Sequence, residues 1–302
     1  MHLSPRRSAL PASFLVLLAA CGGGGGGGGG GPTDVAFMSF DTMRANERAN
    51  MTGISQTASG TGTPVVGGLL VDSVSLGPLD TGNTRAQITF DGNRNISAFS
   101  FTAPQSSASF SGVDCSAGSV CTAETATSVG VLGNPSFHGW NYQTFGVWLA
   151  ETSPTTFQVG ALSVGAATPG SAVPPTGSAT FTGFTSGFYT ENRQPFVSSA
   201  LVSATVTWST QSIAFSTSNT TIGNLNSGGT IAASDLDLTG TLSYALGSNQ
   251  FNGGVTAARN GGMSGSATGR FYGPTAQEIG GVYSLTGSNS STLIGAFGAR
   301  RP

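Results

Sequence analysis

GRFYGPTAQEIGG, residues 269–281, is the stretch whose reading decides the fold. Two short apolar or aromatic runs flank a Gly273-Pro274 break, and proline after glycine marks a turn rather than a helix interior. A strand is expected to end at Gly273 and Pro274. A short crossing over residues 275–277 then leads into the next strand. Glu278 is placed to cap backbone N–H groups of that turn. Gly280 and Gly281 lack a Cβ, so the chain can pass close beneath an aromatic such as Phe271 or Tyr272. Gly269, Phe271, Tyr272, Gly273, Pro274, Glu278, Gly280 and Gly281 therefore read as a structural motif rather than a ligand site.

Outward from this motif the second half of the chain is regular. Strands are expected at residues 177–189, 199–209, 211–218, 235–246, 250–257, 263–272, 279–286 and 291–299. Leu236, Leu238, Leu242 and Tyr244 share one face, as do Val202, Ala204, Val206 and Trp208, and Leu293, Gly295 and Phe297. Strict alternation means one buried face and one wet face. Eight antiparallel strands of this kind close into a barrel filled by its own side chains. Asp235 and Asp237 read as turn caps at a strand start. The proline clusters at residues 167–175 mark a boundary. Before it, shorter runs at residues 65–76, 85–90, 94–101, 106–111, 141–150 and 155–164 read as strands of a second β-rich domain. The fold class is all-β: a β-rich handle-like domain over residues 65–170, then an eight-stranded antiparallel β-barrel over residues 171–302.

Of the 302 residues, 8% are charged and 47 are glycine. Coiled coils and acidic solvating tails need far more charge and are excluded. Lysine is absent and the net charge is −2, so there is no basic footprint for nucleic acid.

The N-terminus reads as an export leader over residues 1–20. Arg6 and Arg7 precede the apolar run ALPASFLVLLAA, residues 9–20. That run is shorter than the roughly twenty residues a membrane-spanning helix needs. LAAC, residues 18–21, resembles the bacterial lipobox, which implies lipidation of Cys21 and cleavage before it. Several acyl chains together anchor a protein stably where one does not. Gly22 after the cysteine resembles the pattern of lipoproteins released to the outer membrane. Residues 22–31 are all glycine. Such a coil has a root-mean-square reach of about 18 Å. The expected tether runs over residues 21–64, with an edge strand near residues 37–43. With Cys21 lipidated, Cys115 and Cys121 remain, and an even pair in an exported chain reads as a disulfide.

The 269–281 segment resembles the G-x-F-[YF]-G-P-x-A-x-E-x-G-G signature of the transferrin-binding protein B barrel family. GAFGAR (residues 295–300), YQTFGVW (142–148), Thr168-Pro169, Pro175 and TGSATFTG (176–183) are similar to other parts of that barrel and its entry. The resemblance implies a single lobe, made of a handle and an eight-stranded barrel. It also implies a lipid-anchored, outer-membrane, cell-surface protein that binds a host or environmental protein in iron or haem acquisition. A TonB-dependent transporter would be the receiving partner. A structural envelope lipoprotein with no uptake role is the alternative. No ligand contact of the family matches a residue here, so ligand-binding residues stay unassigned.

No G-x-S-x-G elbow, phosphate loop, metal-spaced His/Cys cluster or dinucleotide fingerprint occurs, so no catalytic or metal residue is assigned and no enzyme is expected. No cofactor is assigned, with haem held open. His138, in FHGWNY (residues 137–142), is the candidate axial ligand, and a loop residue entering a half-buried strand is the competing reading.

Overall fold

The structure is a computed structural model and describes residues 33–36, 38–116 and 118–302. The first sheet comprises β1 (Thr33–Ala36), β2 (Glu47–Val65), β3 (Gly68–Phe90), β4 (Ile96–Ala103), β5 (Ser106–Ser111), β6 (Val120–Glu124), β7 (Ser128–Gly133), β8 (Gln143–Ser153) and β9 (Thr156–Gly165). Its order is β5-β4-β3-β2-β9-β8-β7-β6, with β1 lying parallel beside β2. The second sheet comprises β10 (Ser178–Glu191), β11 (Gln194–Thr207), β12 (Ser212–Asn224), β13 (Thr230–Ala232), β14 (Thr239–Tyr244), β15 (Gln250–Ala257), β16 (Met263–Tyr272), β17 (Glu278–Gly287) and β18 (Thr292–Arg300). Its order is β11-β10-β18-β17-β16-β15-β14-β12, and pairing of β11 with β12 closes the ring. β13 pairs only with the outer end of β12. The barrel is thus eight-stranded and antiparallel, as its alternation predicts.

Inward residues fill the barrel. Val202, Val206, Trp208, Leu242, Phe251, Phe271, Leu293 and Phe297 belong to one buried cluster. The handle has its own core around Phe90, Phe99, Phe101, Phe110 and Trp148. A third cluster joins the two domains. Ile54, Phe145, Phe157 and Val159 of the handle pack against Phe188, Val282, Ile294 and Ala296 of the barrel. Each of the buried valine, isoleucine and phenylalanine side chains among them stabilises by about 1.5–3 kcal/mol. The two domains therefore share an apolar cluster across their seam rather than a linker alone.

Several expectations are corrected. The tether does not reach residue 64: residues 47–65 form β2, which lies in the middle of the handle sheet between β3 and β9. Its polar residues are buried because they bond to neighbours, as when Thr84 Oγ1 donates to Ser55 Oγ at 2.7 Å. The expected runs 65–76 and 85–90 are one strand, β3, and the turn signals between them are absorbed as irregularities of the β2–β3 register. There the Asp80 carboxylate accepts from the N–H groups of Asn83 and Thr84. An added residue can bulge without ending a ladder. Strands β6 and β7 were not expected from their short, weak alternation. Of the expected edge strand at residues 37–43, Phe37 lies outside the described residues, and Phe40–Thr42 form a single 3-10 turn. The expected strand 235–246 starts only at Thr239, after a 3-10 turn at Ser234–Leu236. Asp237 caps that region by accepting from Thr220 N at 3.0 Å.

Candidate functional site

The signature is two-faced because it lies on paired strands. In the β16–β17 ladder Gly269 faces Gly281 and Phe271 faces Ile279. Arg270 faces Gly280 and Tyr272 faces Glu278. Opposed residues share a face of the sheet. Phe271 and Ile279 lie in the barrel core. The alternate set faces the handle.

That outward set makes the joint. Tyr272 is fully buried, and its hydroxyl lies 3.1 Å from Ser163 Oγ on β9. Burial pushes its phenol up to about 12. Arg270 donates through Nη2 to the carbonyl of Thr81 on β3. Thr168 Oγ1 donates to the carbonyl of Gly273 at 2.6 Å, and Gly273 N donates to Ala166 O at 2.8 Å. Gly280 and Gly298 leave room for the buried Gln143 side chain. A Cβ at Gly298 would lie 2.3 Å from Gln143 Nε2, and one at Gly280 would lie 2.5 Å from Ser163 Oγ.

Two details of the motif differ from expectation. Glu278 does not cap its own turn. Its Oε1 accepts from Asn141 N at 2.6 Å and its Oε2 from Tyr142 N at 3.0 Å, so the barrel caps a handle loop. The turn is capped by Gln277, whose Oε1 accepts from Thr275 N at 2.9 Å. Gly281 lies beneath Phe297, not beneath Phe271 or Tyr272; its Cβ would meet the Phe297 ring at 2.7 Å. Pro274 lies exposed in the turn. Thr168 and Arg270 lie in stretches that the sequence singles out, but no local pattern points to their bonds across the joint, nor to those of Asn141, Gln143 and Ser163.

Beside the joint the Cys115–Cys121 disulfide is formed, with Cα atoms 4.0 Å apart. It holds the turn at which Asp114 and Thr122 exchange two backbone hydrogen bonds, of 2.8 and 2.7 Å. A shallow groove of about 390 Å³ lies next to it, lined by Asp91, Asn95, Ile96, Val113, Asp114 and Cys115. Both carboxylates are held below their usual range chiefly by N–H groups of their own turns. Among the described residues no group of three or more His, Cys, Asp or Glu is placed to hold a metal ion. The double variant Cys115→Ser/Cys121→Ser is expected to lose about 2–3 kcal/mol from so small a loop. Urea unfolding of oxidised wild type against the variant measures it.

The disulfide loop backs onto the helical turn Pro135–His138. His138 Nε2 lies 2.9 Å from the carbonyl of Ser119, and its ring stacks on Trp140 at 4.3 Å and on Phe184 of the barrel at 5.6 Å. Burial holds the imidazole below its ordinary 6.5. Phe137 is 63% exposed beside it, and Leu201, opposite Phe184 in the β10–β11 ladder, is 51% exposed. This flank offers apolar contacts that span both domains. An iron ligand at His138 Nε2 would first have to release Ser119. Cys21 lies outside the described residues.

A curled sheet clipped side-on to a closed barrel defines a handle-and-barrel lobe. Residues 173–301 match the family of C-lobe and N-lobe beta barrels of Tf-binding protein B. Over those residues the barrel is similar to that family, and the match stops short of the handle. Among solved structures, the chain is similar to a tryptophan-to-alanine variant of transferrin binding protein B from Haemophilus parasuis. That match has a TM-score of 0.47 and 14% identity, and covers 81% of this chain and 51% of the other. It is also similar to the isotype 1 protein from serogroup B Neisseria meningitidis, with a TM-score of 0.41 and 16% identity, over 76% and 52% of the two chains. A phenylalanine-to-alanine variant from Actinobacillus pleuropneumoniae matches with a TM-score of 0.44 and 14% identity, over 83% and 100%. The chain spans about half the length of the first two. No curated protein matches it in sequence.

Proposed function

We propose that this chain is a surface binding protein of the bacterial outer membrane, held by lipid on Cys21, that captures an iron- or haem-carrying protein. It is a binding module and not an enzyme. A TonB-dependent transporter receives the cargo. The barrel family match over residues 173–301 carries this reading. The lipobox and the polyglycine run at residues 22–31 support it, because such a leash lifts a folded lobe off the lipid surface. The relatives are named for binding transferrin. The absence of lysine and the net charge of −2 weigh against transferrin itself and against a polyanion as the ligand, so the ligand is left as an iron- or haem-carrying protein.

The test is capture of purified iron and haem proteins by an immobilised fragment beginning at residue 33. Retention of one of them, lost when Phe137→Asp and Leu201→Asp are introduced together, is the expected result. An empty capture, with the fragment folded, overturns the uptake role and leaves a structural envelope lipoprotein. Incorporation of a palmitate analogue, abolished by Cys21→Ala, tests the anchor.

A further inference from the structure

Two Asn-Gly pairs occur in the chain, Asn252-Gly253 and Asn260-Gly261. Glycine after asparagine leaves the next backbone nitrogen unshielded by a Cβ. That nitrogen reaches the side-chain carbonyl carbon when the backbone between them is free to turn. The fold treats the two pairs differently. Asn252 lies within β15, paired with Ser243 of β14 on one side and Thr268 of β16 on the other. A Cβ at Gly253 would lie 2.3 Å from the Thr241 carbonyl oxygen, so this backbone is tightly enclosed. Asn260 lies in the β15–β16 turn at a φ of 56°. Gly261 and Gly262 follow it, both exposed and with nothing within 4 Å of an added Cβ.

The surroundings of Asn260 give the position a consequence. Arg259 Nη2 donates to Glu191 Oε2 at 2.6 Å, and its Nη1 donates to Asp235 Oδ1 at 3.0 Å. Asn260 Nδ2 donates to the Tyr189 hydroxyl at 3.4 Å. Burial pushes the Glu191 carboxyl up, but hydrogen bonds from Arg259 and Asn260 hold it below its usual range. Glu191 is the last residue of β10, and the turn after it meets the handle. There Val71 N donates to Arg193 O at 2.7 Å, and the Arg193 guanidinium pairs with Asp72.

We propose that Asn260 is a self-modification site that converts to aspartate or isoaspartate, and that the carboxylate so formed loosens the Arg259 clamp behind the contact between the β10–β11 turn and the handle.

The step balances with water as the only co-reactant. Gly261 N bonds to Asn260 Cγ, and the side-chain nitrogen leaves as ammonia with the proton that Gly261 N gives up. Water then adds to one carbonyl carbon of the five-membered imide, and the C–N bond there breaks. Opening at the side-chain carbonyl gives aspartate, and opening at the backbone carbonyl gives isoaspartate. Nothing is oxidised or reduced. Glu191 thereby loses an amide donor, and the Arg259 guanidinium faces a third carboxylate beside Glu191 and Asp235.

The experiment holds the intact folded chain in mildly alkaline buffer and follows the peptides that contain Asn252 and Asn260 by mass spectrometry, reading the exchange of amide for acid. Asn260 is expected to convert at least about tenfold faster than Asn252, because the strand must open before it reacts. In urea the two rates are expected to converge to within about twofold. Equal rates in the folded chain, or an Asn260 that reacts only in urea, overturn the proposal. The second reading is amide hydrogen exchange at Val71. Asn260→Asp is expected to raise it about threefold to fivefold, and Asn260→Gln, which keeps an amide, to leave it within about twofold. Unchanged exchange at Val71 in Asn260→Asp overturns the loosening of the clamp. Should that variant fail to fold, aged wild type, separated from fresh protein by its added charge, gives the same reading.

Discussion

Replacing Phe271 by alanine is expected to lower the unfolding free energy by about 3–5 kcal/mol. The ring is fully buried, with centroids 5.3 Å from Trp208, 5.1 Å from Tyr244 and 5.3 Å from Phe251. Around it the barrel is closed on all sides by hydrogen-bonded strands, so the wall cannot collapse into the space left behind. Both the transfer energy of the ring and the cavity therefore count against the variant. The neighbouring Tyr272 gives the contrast. Its ring points the other way, into the joint, and Tyr272→Phe removes one hydroxyl contact to Ser163. That change is expected to cost only about 1 kcal/mol. Denaturant unfolding followed by tryptophan fluorescence, with Trp208 next to the site, ranks the two. A Tyr272→Phe loss equal to that of Phe271→Ala would contradict the assignment of inward and outward faces.

The barrel was legible in the sequence because its faces are chemically different. Leu236, Leu238, Leu242 and Tyr244 read as one face and all lie in its core. The handle was legible only in part. Ser55, Gln56 and Thr57 look like linker residues, yet they are buried in β2. Their polarity is met by distant partners: Gln56 Nε2 donates to Gly77 O at 2.6 Å, and Thr57 Oγ1 donates to Gln105 Oε1 at 3.0 Å. Composition cannot distinguish a satisfied buried polar group from a solvated one. The joint was hidden for a related reason. Glu278 was singled out as a cap, but the amide it caps lies 137 residues earlier in the chain. Local pattern carries no information about such a pairing. The disulfide, by contrast, was legible once the lipobox resemblance set Cys21 aside, because a single pair then remained in a chain read as exported.

Gly269→Val and Gly254→Val are expected to move stability in opposite directions, although both glycines lie in adjacent barrel strands. A Cβ at Gly269 would sit 2.4 Å from two atoms of the Phe251 ring and 2.6 Å from the carbonyl of Gly280. Phe251 is fully buried, and the carbonyl belongs to the neighbouring strand, so neither can yield cheaply. Overpacking of this kind costs about 3 kcal/mol or somewhat more. At Gly254 the nearest atom to a new Cβ is the Gly265 carbonyl oxygen at 3.9 Å, and the position faces outward. There valine relieves the entropy that glycine loses on ordering and adds β-branched surface, for a gain of up to about 1 kcal/mol. Chemical denaturation of both single variants measures the difference, about 4 kcal/mol in all. Equal losses would mean that glycine is required throughout the barrel for its backbone freedom. The expected split means that the glycine of the signature is there to let the Phe251 ring pack against the β16 backbone.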